Sequence, residues 1–240
     1  MRAIGIVGYK NSGKTTLSRA LAQELVKRGH SVAAVKHSSE SMDFLSTDTS
    51  NLKEYADQVG FVSPEESGVF LKGERTLDEI LTHLDADMII IEGFKQELSY
   101  PKIACLSGRE EDENLFNGLI ICTVGPSDQM GEVGGQDVPY LNRNAIERIA
   151  DLVEERAFKL PRLNCRGCGY EDCYGLAREI VVGAKTVDEC VSLHPVVEVL
   201  IDGKPLAMNP FISRMVGDTV KAMLSSLRGF ARGKIEIKID

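Results

Sequence analysis

The chain has 240 residues, 43% of them hydrophobic, with 28 basic against 36 acidic side chains and a formal charge of −8. It holds no apolar run of the ~18 residues that a membrane helix needs, and so acidic a surface repels nucleic acid and anionic lipid rather than gathering them, so neither is expected as a partner. The chain enters directly into the strand-like Arg2-Ala-Ile-Gly-Ile-Val7 with none of the regions of a signal peptide, and a cytoplasmic home is expected.

The first stretch alternates apolar runs with amphipathic segments. A strand over 3–7, a helix over 14–28 and a strand over 31–36 form a strand, helix, strand unit whose two strands are expected to pair in parallel. Leu17, Ala20, Leu21 and Leu25 give the helix one apolar stripe, and Gly29 stands where a C-terminal cap is wanted. From His37 to Asn51 the chain is polar and aperiodic, which reads as a functional loop carrying Asp43 and Asp48. A short helix over 52–57 follows, then a hairpin of strands 59–62 and 69–71 at the sheet edge, and a helix over 76–84. Met88-Ile-Ile-Ile91 has the continuous apolarity of a strand buried on both faces. Strands over 102–106 and 119–124 and a helix over 142–156 complete an α/β pattern, a mostly parallel sheet flanked by helices.

Pro161 opens a segment of different character. We divide the chain into a nucleotide-binding domain at 1–160, a small four-cysteine module at 161–195 with a helix over 174–182, and a small α+β unit at 196–240. The last unit is expected to hold a strand over 196–201 ending in the turn signal Asp202-Gly203, a helix over 210–227 and a strand over 235–239.

Gly8-Tyr-Lys-Asn11-Ser12-Gly13-Lys14-Thr15 fits G-x-x-x-x-G-K-[ST] and lies between a predicted strand and a predicted helix, the context the motif requires. Gly8 and Gly13 let the backbone curl around phosphates, with Asn11, Ser12 and Thr16 in the same cradle. Lys14 reaches the β and γ oxygens, and Thr15 ligates magnesium. The metal also needs a carboxylate at the end of a neighbouring apolar strand, and Glu92, directly after Ile91, fills that role. Lys14 and Glu92 are therefore the candidate catalytic pair, while Asp87 at the strand's other end reads as a cap or surface acid. Lys36 and His37 end the second strand near the expected phosphates. No Asn-Lys-x-Asp guanine signature is present, so these residues leave the base open.

Of six cysteines, Cys105 and Cys122 lie alone in apolar runs and read as core. Cys165-x2-Cys168-x4-Cys173-x16-Cys190 places four thiols together, with Gly167, Gly169 and Gly175 for tight turns. In a reducing compartment this is a metal site. Three close cysteines and one remote favour a 4Fe-4S cluster, with tetrahedral zinc as the alternative.

The phosphate motif through Leu17, then Val35-Lys36-His37, Ile90-Ile-Glu92-Gly-Phe-Lys95 and Pro101-Lys-Ile103, resembles the molybdopterin-guanine dinucleotide biosynthesis protein B (MobB) family. The likeness spans about residues 1–155. It implies a GTP-binding domain with feeble GTPase activity that dimerises and assists the guanylyltransferase, or a molybdopterin-carrying protein, in building the molybdenum or tungsten cofactor. It also implies Lys14 and Thr15 as phosphate and magnesium contacts, with Glu92 and Lys95 as the acid and base of a second motif. The loop after His37 departs from the family, lacking its His- and Asp-rich run. Asn164 to Cys173 with Cys190 resembles the small 4Fe-4S domain of Rnf-type B subunits and corrinoid iron–sulfur proteins. Two other function classes stay open: an electron-transfer or redox-sensing protein gated by nucleotide, and a small-molecule P-loop kinase.

Overall fold

The computed structural model describes residues 1–38, 52, 55–125, 138–201, 203–231, 233 and 235–237. Among these, the central sheet has six strands, β1 (Arg2–Gly8), β2 (Val32–Lys36), β5 (Met88–Glu92), β6 (Lys102–Cys105), β7 (Ile120–Gly125) and β8 (Tyr140–Asn142), in the order β2-β5-β1-β6-β7-β8. Every pairing in it is parallel. The expected direct pairing of β1 with β2 does not occur, because β5 lies between them. Its run of Met and Ile is buried at every position, and a strand apolar on both faces belongs inside a sheet.

β3 (Gln58–Val62) and β4 (Ser67–Leu71) form the expected hairpin, but as a two-stranded sheet of their own rather than as an edge of the main one.

Helix α1 (Lys14–Lys27) buries Leu17, Leu21 and Leu25 against the sheet. It ends in a Schellman turn: His30 N donates to Leu25 O (3.1 Å) and Gly29 N to Val26 O (2.9 Å), with Gly29 at φ 93°. Helix α2 (Leu77–Leu81) starts from a capping box of Thr76 and Glu79 and covers the opposite face. Helix α3 (Ile146–Arg156) lies beside α1 and turns Ile149, Ala150 and Val153 into the same core as Ile4, Ile6 and Ile90. It begins later than its sequence suggests, because 140–142 is spent on β8 and Asn142 Oδ1 then accepts from Asn144 N at 2.8 Å in a turn.

Past α3 the chain crosses beneath the amino ends of the strands. Leu160 N donates to Ser99 O just before β6 (2.8 Å), and Tyr174 Oη to Asn117 O just before β7 (2.6 Å). Helix α4 (Cys173–Val181) places Leu176, Ala177 and Val181 in the main core rather than in a separate one. A short hairpin follows, β9 (Leu200–Ile201) with β10 (Lys204–Pro205), and then helix α5 (Pro210–Ser225), capped by Asn209. The strand expected over 196–201 keeps only its last two residues. The final expected strand is absent over 235–237, and residues 238 and 239 lie outside the described set, as do Asp43, Asp48, Asp202 and part of the expected helix at 52–57.

Candidate functional site

Parallel strands deliver their carboxyl ends to one edge, and a ligand crevice forms there where successive connections run to opposite sides. β1 is that point: the chain leaves it for β2 on one side, while β6 and β7 lie on the other. The register sets Ile6, Glu92 and Lys36 level across three strands, directly below the loop that joins β1 to α1.

In that loop Gly13 is the N-cap of α1, at φ 87° and with no side-chain cap. The first-turn amides therefore face outward without a carbonyl of their own helix. A Cβ at Gly8 would strike Ser12 Oγ and the Cys105 carbonyl, so the close approach of loop to sheet demands glycine. Asn11 is also left-handed, at φ 66°. Lys14 Nζ arches over the loop to Tyr9 O at 2.7 Å. Thr15 and Thr16 open the exposed first turn of α1.

Glu92 ends β5 and is 8% exposed. Its Oε1 accepts from Thr15 Oγ1 at 2.8 Å and faces Lys36 Nζ at 3.3 Å, and its Oε2 accepts from Ser18 Oγ at 3.3 Å. The hydroxyl and carboxylate named from sequence as magnesium ligands are thus adjacent. Asp87, at the far end of the strand, instead clips the loop before β2, accepting from Ser31 N (3.1 Å) and Ser31 Oγ (2.8 Å). His37 stacks at a tilt on Phe94, 4.8 Å between ring centres.

Lys95 Nζ lies 3.5 Å from the centre of the Tyr9 ring. Burial holds its ammonium below the usual lysine range, and the nearby Lys14 charge pushes it further the same way. Two cations that repel one another beside a helix N-terminus with no side-chain cap can receive an anion. Two contributors were not singled out by their sequence context. Arg143, just after β8, donates from Nη2 to Ser12 O at 2.7 Å. Lys102 is fully buried at the start of β6 and donates to Lys95 O at 2.7 Å, bracing the loop after Glu92 from below; burial lowers its ammonium to about 8.

At the opposite end of the sheet, near the amino ends of β6 and β7, lie the four clustered cysteines. Among the described residues, no three His, Cys, Asp or Glu side chains stand close enough together to hold a single metal ion. The four thiols nevertheless lie within electrostatic reach: Cys165 and Cys168 act on Cys173, and Cys173 and Cys168 on Cys190. Burial raises the Cys173 and Cys190 thiols, while main-chain amides oppose it, those of Asn164 and Arg162 at Cys173 and those of Ser192 and Leu193 at Cys190. Arg162, Asn164 and Arg166 all have positive φ, at 56°, 44° and 59°, which curls this backbone and turns amides inward. The lone Cys105 and Cys122 are fully buried in the main core, as expected.

The glycine-bounded loop at a helix N-terminus, its lysine and its hydroxyl–carboxylate pair make this a P-loop protein of the α/β class. The family model described as molybdopterin guanine dinucleotide synthesis protein B matches residues 3–123, and a provisionally assigned Fe-S cluster model matches residues 160–192. A Methanocaldococcus jannaschii protein, provisionally named as a molybdopterin-guanine dinucleotide biosynthesis adapter protein, is 31% identical over 249 residues, covering 100% of this chain and 98% of its own. The adapter protein of that name from Haemophilus influenzae is 33% identical over 63% of this chain and 86% of its own. The crystal structure of Bacillus subtilis MobB superposes with a TM-score of 0.54 at 23% identity, covering 63% of this chain and 98% of that one. The chain belongs to the MobB family, and it carries an iron–sulfur-type segment beyond the MobB domain.

No helix among the described residues is long and apolar enough to cross a membrane.

Proposed function

We propose that this protein binds GTP with magnesium at the phosphate loop and acts as the nucleotide-binding adapter in building the guanine dinucleotide form of the molybdenum or tungsten cofactor. The observation that carries the reading is the Thr15 hydroxyl on the Glu92 carboxylate at 2.8 Å, set beneath an uncapped helix N-terminus and flanked by Lys14, Lys36 and Lys95. Amides of Gly13 to Thr16 and the Lys14 ammonium would hold the β and γ phosphates, with Asn11 and Ser12 shaping the cradle. Thr15 and Glu92 would hold magnesium, which neutralises charge on the phosphate oxygens when bound. Among the described residues, Glu92 is engaged with Thr15, Ser18 and Lys36 rather than free to activate water. The family resemblance adds a weak GTPase activity to this reading, as suits an adapter. The base assignment, a homodimeric state, and a guanylyltransferase or molybdopterin-carrying partner rest on family membership and the names of its relatives.

The same proposal gives Cys165, Cys168, Cys173 and Cys190 a 4Fe-4S cluster. The four thiolates would hold such a cluster, and inward amides would stabilise its charge. The curled backbone over 162–166 and the amides aimed at Cys173 and Cys190 support that fit.

Competition binding on anaerobically purified full-length protein tests the nucleotide assignment. GTP is expected to displace a fluorescent GTP analogue at lower concentration than ATP. Equal or better displacement by ATP would remove the guanine dinucleotide reading and favour a kinase.

A further inference from the structure

Arg143 lies on the opposite flank of the phosphate loop from the metal pair. Thr15, Glu92 and Lys36 stand on the β5 and β2 side of β1, whereas Arg143 follows β8, its own amide held by Gly125 O at the end of β7 (3.1 Å). From there the guanidinium reaches over Gly13 so closely that a Cβ at that position would overlap it. Nη2 is fixed on Ser12 O (2.7 Å), yet among the described residues Nε is buried without a partner, and so is Ser12 Oγ, on a residue only 2% exposed. A half-buried guanidinium tethered by one edge beside the phosphate loop is placed to meet a ligand on this flank.

A triphosphate is a short linear chain. When its β and γ groups lie on the Thr15–Glu92 flank, its remaining end points to the other one. We propose that Arg143 is the nucleoside-contact residue of this site, its planar guanidinium stacking on the purine of a bound nucleoside triphosphate. The proposal rests on the phosphate-loop reading above and adds the element that distinguishes a nucleotide from a bare polyphosphate. Loss of such a stacked cation corresponds to about a tenfold change in affinity.

Calorimetric titration of the full chain with GTP, ATP and inorganic tripolyphosphate, each with magnesium, provides the test. In Arg143→Ala the dissociation constant for the nucleotides that the wild type binds should rise about tenfold more than that for tripolyphosphate, which loses only the neighbouring charge. Arg143→Lys should not restore nucleotide affinity, because an ammonium keeps the charge but lacks the plane. Equal losses for nucleotide and tripolyphosphate would make Arg143 a phosphate contact or loop brace and overturn the assignment, as would unchanged nucleotide binding. A wild-type chain that binds none of the three ligands would instead refute the phosphate-loop reading itself, and this assignment with it.

Discussion

Lys102 gives the sharpest stability prediction. Its ammonium is enclosed at the start of β6, with one hydrogen bond to Lys95 O and the distant attraction of Glu97 as compensation. Burial lowers it from an ordinary 10.5 to about 8, which at ~1.4 kcal/mol per tenfold corresponds to ~3 kcal/mol of destabilisation at pH 7. Replacement by Met keeps the volume and removes that cost, but forfeits a charge-assisted hydrogen bond worth ~1.5 to 3 kcal/mol. Lys102→Met should therefore be more stable than the wild type by up to ~1.5 kcal/mol at pH 7. The sign follows from proton counts. Below pH 8 both folded and unfolded chains carry the charge, so the burden is fully present. Between 8 and 10.5 the folded chain has released a proton that the unfolded one still binds, and stability rises with pH. The advantage of the Met variant should shrink across that window and reverse above it. Urea unfolding of both proteins at pH 7, 8.5 and 10.5 provides the measurement. A stability difference that does not change with pH, or a Met variant weaker at pH 7, would refute the reasoning. The same variant should bind triphosphate less well, since the loop carrying Lys95 loses its brace.

Lys14→Ala should raise the dissociation constant for triphosphate at least tenfold with the fold unchanged by circular dichroism, because a charge-assisted contact is worth about 1.5 to 3 kcal/mol; equal calorimetric binding would contradict it. Glu92→Gln keeps the reach to Thr15 but removes the charge, so magnesium should cease to strengthen nucleotide binding while metal-free binding persists, which titrations with and without chelator will read. Anaerobically prepared wild type should be brown with about four irons per chain, and Cys168→Ser should lose both colour and iron by elemental analysis. Stoichiometric zinc in iron-fed cells would show that the cysteine spacing had been misjudged.

The phosphate loop was legible because its residues are consecutive and lie between two strongly periodic segments. Glu92 was legible for a related reason: a carboxylate directly after Met88 to Ile91 must surface at the end of a buried strand. Arg143 was not. Its strand is three residues long, and 142–156 has enough apolar periodicity to extend the following helix backwards over it. Lys102 at a strand's first position reads as a solvated end, yet it packs beside Gly5 of β1 and under the loop that carries Lys95 O. The insertion of β5 between β1 and β2 is a pairing across more than fifty residues, which local patterns do not encode.

A parallel sheet has a working end and a blunt end, and the segment beyond the MobB domain lies at the blunt one. The segment that the iron–sulfur model matches, 160–192, meets the amino ends of the strands, away from the phosphate loop. An appendix placed there is free to diversify without disturbing ligand recognition. Once Leu176, Ala177 and Val181 have entered the common core, however, it can no longer be shed without uncovering that core.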